Sequence, residues 1–269
     1  MKRRRFLVSS LAASTLAGGT PPHEAAGNDA APPAAGREYY ELRKYQLRRG
    51  PQQRIIDDYF RNAAIPALNR LGVKPVGVFN TTIGPGSPAL YVLMPHSSPE
   101  SAMAVHDRMA SDPEYLRAGA DYVNVPATQP AYVRFETFVL ASFAAIPRLE
   151  LPPGAASNEP RIFELRTYES HSKKANRTKI DMFNSAEIAI FRRTGLRPVF
   201  FGETLVGSGM PSLTYMLAFT NMDERTRNWA AFAADPEWKK LSSTPGYTDP
   251  EIVSNITNVI LTPSPYSQI

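Results

Sequence analysis

From residue 39 onward the hydrophobic pattern alternates between a period of two and a helical period. Tyr39–Leu47 alternates apolar and polar positions in β-favouring residues and predicts a strand. Gln52–Leu71 carries Ile55, Ile56, Tyr59, Phe60 and Ala63 at helical spacing and stops at Gly72, a helix-ending glycine. Pro66 falls inside that helix and predicts a kink or an early end there. Val76–Thr81 and Ala89–Met94 predict two strands joined through Gly84-Pro85-Gly86. Ser98-Pro99-Glu100 supplies an N-cap, a first-turn proline and an acidic first turn, opening a second helix. Tyr132–Phe143 predicts a long closing strand. The same string then recurs as Arg161–Glu169, Asn176–Thr194, Val199–Val206, Leu213–Phe219, Asp223–Ala233 and Ile256–Leu261. Its hairpin turns at Gly207-Ser208-Gly209, and Ala189 stands where the first copy has Pro66, so this helix is expected to run straighter.

The two strings are one unit written twice. Residues 38–76 align with 161–199 at an offset of 123 without gaps, with identities from Glu41/Glu164 to Val76/Val199. Across the next hairpin the alignment expects a slip of one residue, bringing Tyr91 opposite Tyr215, before Asp112-Pro113-Glu114 meets Asp235-Pro236-Glu237. Each unit reads βαββαβ, the order of a ferredoxin-like split βαβ, with four antiparallel strands and both helices on one face. The free face of such a sheet is not uniformly polar here. The expected fold is therefore α+β, with the two tandem units packed sheet to sheet as an intrachain dimeric barrel. The boundaries are a first unit at 37–146, a linker at 147–160 rich in Pro, Gly and Asn, and a second unit at 161–269.

Composition changes the picture mainly at the N-terminus. Lys+Arg number 30 and Asp+Glu 25, a formal charge of +5 that invites a nucleic-acid reading. Residues 1–19, however, hold Lys2, Arg3, Arg4 and Arg5 and no acid, so without them the balance is 26 against 25. No nucleic-acid partner is expected. The segment has a basic start and a short, Ser-diluted apolar stretch, too short to span a bilayer. Arg3-Arg4-Arg5-Phe6-Leu7 resembles the twin-arginine export motif, which implies a periplasmic or secreted protein. Residues 20–36 read as a Pro/Ala-rich tether, and no stable membrane anchor is expected after cleavage. The chain has no cysteine, which excludes thiolate nucleophiles, Cys-held metals and disulfides.

Glu-Leu-Arg-x-Tyr opens each unit, as Glu41-Leu42-Arg43-Lys44-Tyr45 and Glu164-Leu165-Arg166-Thr167-Tyr168. Late in each unit stand Asp112-Pro113-Glu114-Tyr115 and Asp235-Pro236-Glu237-Trp238. On these residues the sequence resembles the NIPSNAP family of the dimeric α/β-barrel superfamily, over nearly all of the chain from about residue 38. That resemblance implies a tandem NIPSNAP-like fold. It does not imply a reaction, because the superfamily holds cofactor-free monooxygenases, haem enzymes and small-molecule binders alike.

In a strand, Glu41, Arg43 and Tyr45 share one face and Tyr40, Leu42 and Lys44 the other. With Leu42 taken as packing under the helices, Glu41, Arg43 and Tyr45 are expected to point into the shared interior, as are Glu164, Arg166 and Tyr168. Two accounts of these residues stay open. In one, each Arg binds a substrate carboxylate or enolate and each Glu orients it or acts as base. In the other, Glu and Arg form ion pairs that fix strand register. With Tyr91, Tyr215, Phe79 and Phe201 they make up the candidate pocket lining. Of the histidines, His23 lies in the tether, His106 on a packed helix face opposite Trp229, and His96 and His171 in turns. None has a partner at metal-ligand spacing, so no metal and no cofactor are expected. The Asp-Pro-Glu elements are explained as helix restarts. Basic residues near the first helix of each unit (Arg48, Arg49, Arg54; His171, Lys173, Lys174, Arg177) read as a solvated edge. The functional expectation is a binder of a small, partly apolar molecule in the barrel, with cofactor-independent oxygenase or isomerase chemistry as its enzymatic form. The alternative is a non-catalytic scaffold with a packed barrel core. Further oligomerisation is compatible with either.

Overall fold

The computed structural model describes residues 36–157 and 159–269. The segment expected to direct export, 1–19, and the expected tether up to residue 35 lie outside the described residues. In the first unit the order is β1 (Tyr39–Gln46), α1 (Pro51–Tyr59), α2 (Ile65–Arg70), β2 (Gly77–Ile83), β3 (Ala89–His96), α3 (Pro99–Ala110), α4 (Pro113–Ala118), α5 (Ala120–Val123) and β4 (Arg134–Ser142). In the second it is β5 (Ile162–Glu169), α6 (Lys173–Met182), α7 (Ile188–Arg193), β6 (Arg197–Val206), β7 (Ser212–Phe219), α8 (Met222–Ala234), α9 (Pro236–Ser242), α10 (Asp249–Ile252) and β8 (Asn255–Pro263).

Local chemistry sets many of these boundaries. Ser98 accepts a hydrogen bond from the Ser101 backbone N–H at 3.1 Å and caps α3. Asp112 accepts from the N–H groups of Glu114 and Tyr115, and Asp235 from those of Glu237 and Trp238, so both Asp-Pro-Glu elements restart helices. Gly86 (φ 75°) and Gly209 (φ 67°) take left-handed conformations in the two hairpin turns.

The eight strands close into one antiparallel barrel in the order β1-β3-β2-β8-β5-β7-β6-β4. Each unit contributes four neighbouring strands. The seams are β2 against β8 and β4 against β6, so the second strand of each unit pairs with the fourth strand of the other. β1 and β5 run in the same direction, which places the pseudo-two-fold axis along the barrel. Apolar residues therefore form three layers. Tyr40, Leu42, Phe79, Tyr91, Phe163, Leu165 and Phe200 meet inside the barrel. Tyr45, Ile56, Tyr59 and Phe60 pack between the first sheet and its helices, and Tyr168, Phe183, Phe191, Phe201 and Tyr215 do so in the second unit.

Two expectations change. The helix α1–α2 is joined by a widened π-helical turn at Phe60–Ala64, and α6–α7 by one at Phe183–Glu187. The second helix is thus interrupted like the first although it carries Ala189, so Pro66 is not the cause. The one-residue slip at the hairpin is also absent. Tyr91 pairs with Lys44, whereas Tyr215 pairs with Arg166, so the offset of 123 continues and Tyr91 is equivalent to Thr214. Because side chains alternate along a strand, Tyr91 and Tyr215 lie on opposite faces of their sheets.

Candidate functional site

The first site to consider is the pair of Glu-Leu-Arg-x-Tyr strands. The alternation holds but its direction is the reverse of the expected one: Leu42 and Leu165 point into the barrel, while Glu41, Arg43, Tyr45, Glu164, Arg166 and Tyr168 face the helices. Tyr45 packs edge-on against Phe60, with ring centroids 5.6 Å apart, and Tyr168 lies 6.2 Å from Phe183. Both faces of these sheets are buried, so the choice of an apolar residue for the helix side carried no information about direction.

The two carboxylates are held differently. Glu164, fully buried, accepts hydrogen bonds from Arg166 (3.1 Å), from Arg225 Nε (2.8 Å) and Trp229 Nε1 (2.7 Å) on α8, and from Asn258 (2.7 Å) on β8. Burial alone would raise its pKa, but Arg225, Trp229 and Arg166 outweigh that and lower it. Glu41, 2% exposed, takes Arg43 Nε at 2.6 Å, His106 Nε2 at 3.1 Å and Thr137 at 3.3 Å, with His96 Nε2 at 3.8 Å. Arg43 also bonds the His106 ring and the Tyr45 hydroxyl. Burial likewise opposes the Glu41 charge, and His106 and Arg43 lower its pKa in spite of it. Burial pushes His96 down to about 4, leaving it neutral at pH 7. These groups tie β1 to α3 and β5 to α8. Among the described residues no group of three or more His, Asp or Glu side chains could hold a metal ion. No described helix is long and apolar enough to cross a membrane.

The second site is the barrel interior itself. At one end it is filled: Tyr40, Phe79, Phe163, Phe200, Leu261 and Ile269 are each fully buried there. At the other end, beside the β6–β7 hairpin, a cavity of about 270 Å³ opens between the units. Its lower wall is apolar, from Leu42, Phe138, Leu165 and Val259. Above them stand Lys44, Tyr91 and Glu136 from the first unit, and Thr167, Thr214 and Thr257 from the second. Thr204, Ser208, Gly209, Ser212 and Glu169 complete the rim. Thr167 and Thr214 hydroxyls lie 2.9 Å apart, and Ser212 donates to Thr204 at 2.9 Å. Burial first, and Glu136 second, push the Tyr91 phenol up to about 12, so it is a neutral donor.

Of the sequence-predicted lining, Tyr91 reaches this cavity and Phe79 lies in the packed half of the same interior. Tyr45, Phe201 and Tyr215 lie in the sheet–helix layers with the Glu/Arg groups. Sequence reasoning missed Lys44, Glu136 and the threonines. A signal was available at one position: inside the otherwise identical Glu-Leu-Arg-x-Tyr strands Lys44 stands against Thr167, whereas the neighbours of Tyr91/Thr214, such as Val92/Tyr215, differ as well and single nothing out.

Comparison with known proteins places this geometry in a family. The barrel is similar to a candidate monooxygenase from Lactobacillus acidophilus NCFM, at 8% identity over 84% of this chain and 94% of that one, with a TM-score of 0.53. It is also similar to a candidate monooxygenase from Fusobacterium nucleatum, at 6% identity over 86% and 94% of the two chains and a TM-score of 0.53. A NIPSNAP-like domain protein from Burkholderia xenovorans shares 24% identity over 39% of this chain and 85% of that one, with a TM-score of 0.35. At such identities the likeness concerns fold alone. No curated protein sequence gives a significant match. The NIPSNAP family model matches twice, at residues 40–141 and 163–268, one match for each half of the barrel. The chain belongs to the NIPSNAP family, as a tandem pair of its domains closed into one barrel.

Proposed function

We propose that this is an exported small-molecule-binding protein whose ligand sits in the open half of the barrel. The observation that carries the reading is the cavity of about 270 Å³ at the seam of the two units, apolar below and polar above. A scaffold protein would need no such opening, and the other half of the same barrel is packed solid with aromatic and aliphatic side chains. In a cofactor-independent oxygenase or isomerase form of this activity, the carboxylates Glu136 and Glu169 are the rim groups that could take a proton from bound substrate. Export through the twin-arginine route is part of the proposal and is supported by Arg3-Arg4-Arg5-Phe6-Leu7.

The test is to fill the cavity with the protein's own alternative. Thr214→Tyr puts into the second unit the residue its equivalent position, Tyr91, already carries. Native mass spectrometry of protein purified after export, before and after this substitution, is expected to show a retained small molecule in the wild type only. A ligand retained equally by Thr214→Tyr would place binding elsewhere and end the proposal.

A further inference from the structure

The two walls of the open cavity come from equivalent positions, so they can be compared pair by pair. Leu42 corresponds to Leu165 at the offset of 123. Phe138 pairs with Leu42 and Val259 with Leu165, so both units keep the lower wall apolar. One layer higher the units part. Lys44, with its strand neighbours Tyr91 and Glu136, corresponds to Thr167, with its neighbours Thr214 and Thr257. One wall therefore carries an ammonium, an aromatic face and a carboxylate, and the other carries hydroxyls. Replacing the large triad by three threonines also makes the space, because two copies of Lys-Tyr-Glu would crowd the same volume.

From this chemistry we infer that the ligand is a neutral, hydroxyl-rich ring of monosaccharide size. The inference rests on the small-molecule reading above and adds a class to it. The charges lining the cavity are Lys44, Glu136 and Glu169, and Arg134 stands just outside beside Lys44 and Glu136, so the mouth is balanced in charge. The two strand arginines that could have taken an acid, Arg43 and Arg166, lie behind the sheets, paired with Glu41 and Glu164. A charged ligand of either sign thus meets like charge as well as opposite charge. A neutral polyol does better: its hydroxyls donate to Glu136 and Glu169 and accept from Lys44 and the neutral Tyr91 phenol. The threonine and serine hydroxyls across the cavity can each both donate and accept, so they match ring hydroxyls of either sense. The carbon face of such a ring has the apolar lower wall and the Tyr91 ring to pack against.

The experiment is saturation-transfer NMR and calorimetry on the full chain with three probe sets: the monosaccharides glucose, galactose, mannose and xylose; the diamine putrescine; and the aromatic acid benzoate. At least one monosaccharide is expected to bind, and Thr214→Tyr is expected to abolish the signal. Glu136→Gln, at an exposed position that leaves folding untouched, is expected to weaken it about tenfold, through loss of a charge-assisted hydrogen bond. Putrescine or benzoate binding that Thr214→Tyr removes, with every sugar silent, would overturn the ligand class while leaving the cavity reading intact. Silence from all three sets, or sugar binding that neither substitution changes, would overturn both.

Discussion

The second unit contains a buried ion pair that the first unit does without, and the fold supplies its own control for what that pair is worth. Lys179 on α6 lies 3.0 Å from Glu187, and the two side chains are 1% and 2% exposed. The ammonium also sits 4.8 Å from the Phe183 ring, near Tyr168 and Trp238, with Asp249 at 3.8 Å. At the offset of 123 the equivalent residues are Ile56 and Ala64, on the same helix and at the same π-helical turn. Burial opposes the Lys179 charge, but Glu187, Tyr168 and Asp249 outweigh it; burial raises the pKa of Glu187. Lys179→Met would leave Glu187 buried without its cation, at a cost of about 3–5 kcal/mol. At roughly 2–4 °C per kcal/mol for a body of this size, the melting temperature falls by about 10 °C. Glu187→Leu should cost less, because Lys179 keeps Asp249 and three aromatic rings. The double variant Lys179→Met/Glu187→Leu is expected within about 1 kcal/mol of wild type, since an apolar pair suits this fold in the first unit. Urea unfolding of all four proteins, followed by circular dichroism, gives the coupling energy. The pH dependence has a definite sign. In Lys179→Met the folded pKa of Glu187 lies above its unfolded value, so the native state binds the extra proton. The deficit therefore grows as pH rises from about 4.5 through the folded pKa and shrinks at pH 5 relative to pH 7. A coupling energy near zero, or a double variant as unstable as Lys179→Met, would refute the reasoning.

Other outcomes follow from the same comparison of halves. Arg43→Ala should lower the melting temperature more than Arg166→Ala, because Glu164 keeps Arg225, Trp229 and Asn258 while Glu41 keeps only His106 and Thr137 within hydrogen-bond reach; about 3 kcal/mol against half that is expected by thermal melts. His96 has a folded pKa of about 4 against 6.5, so its contribution is present above pH 6.5 and is lost as pH falls through 4. The full loss is on the order of 3 kcal/mol. His96→Phe, which installs the residue that Phe219 provides at the same register, should flatten urea midpoints between pH 7 and pH 4.5. Changing Arg3 and Arg4 to lysine should leave the protein in the cytoplasmic fraction of an exporting host, where cell fractionation will find it; unchanged export would remove the twin-arginine reading.

The repeat made the architecture legible, because strand and helix periods, capping residues and an ungapped alignment all pointed to two βαββαβ units. The direction of the strands' faces was not legible. In a barrel wrapped by helices, Leu42 has apolar company on either side, so hydrophobicity cannot tell inside from outside. The tyrosines misled for a related reason: matching Tyr91 to Tyr215 by identity cost one residue of register, and one residue exchanges the faces. The polar mouth was hidden in the positions that failed to match. Lys44 against Thr167 is a single mismatch in the sequence, and only strand pairing sets Tyr91 and Glu136 beside one and Thr214 and Thr257 beside the other.

The pseudo-two-fold axis runs along the barrel and out through its open end. In a barrel made from two identical chains, every group lining the mouth would appear twice, once on each wall, related by the half-turn. Fusion into one chain lifts this degeneracy. Lys44, Tyr91 and Glu136 stand on one wall alone and threonines face them from the other, a division of chemistry that two identical chains could not reach.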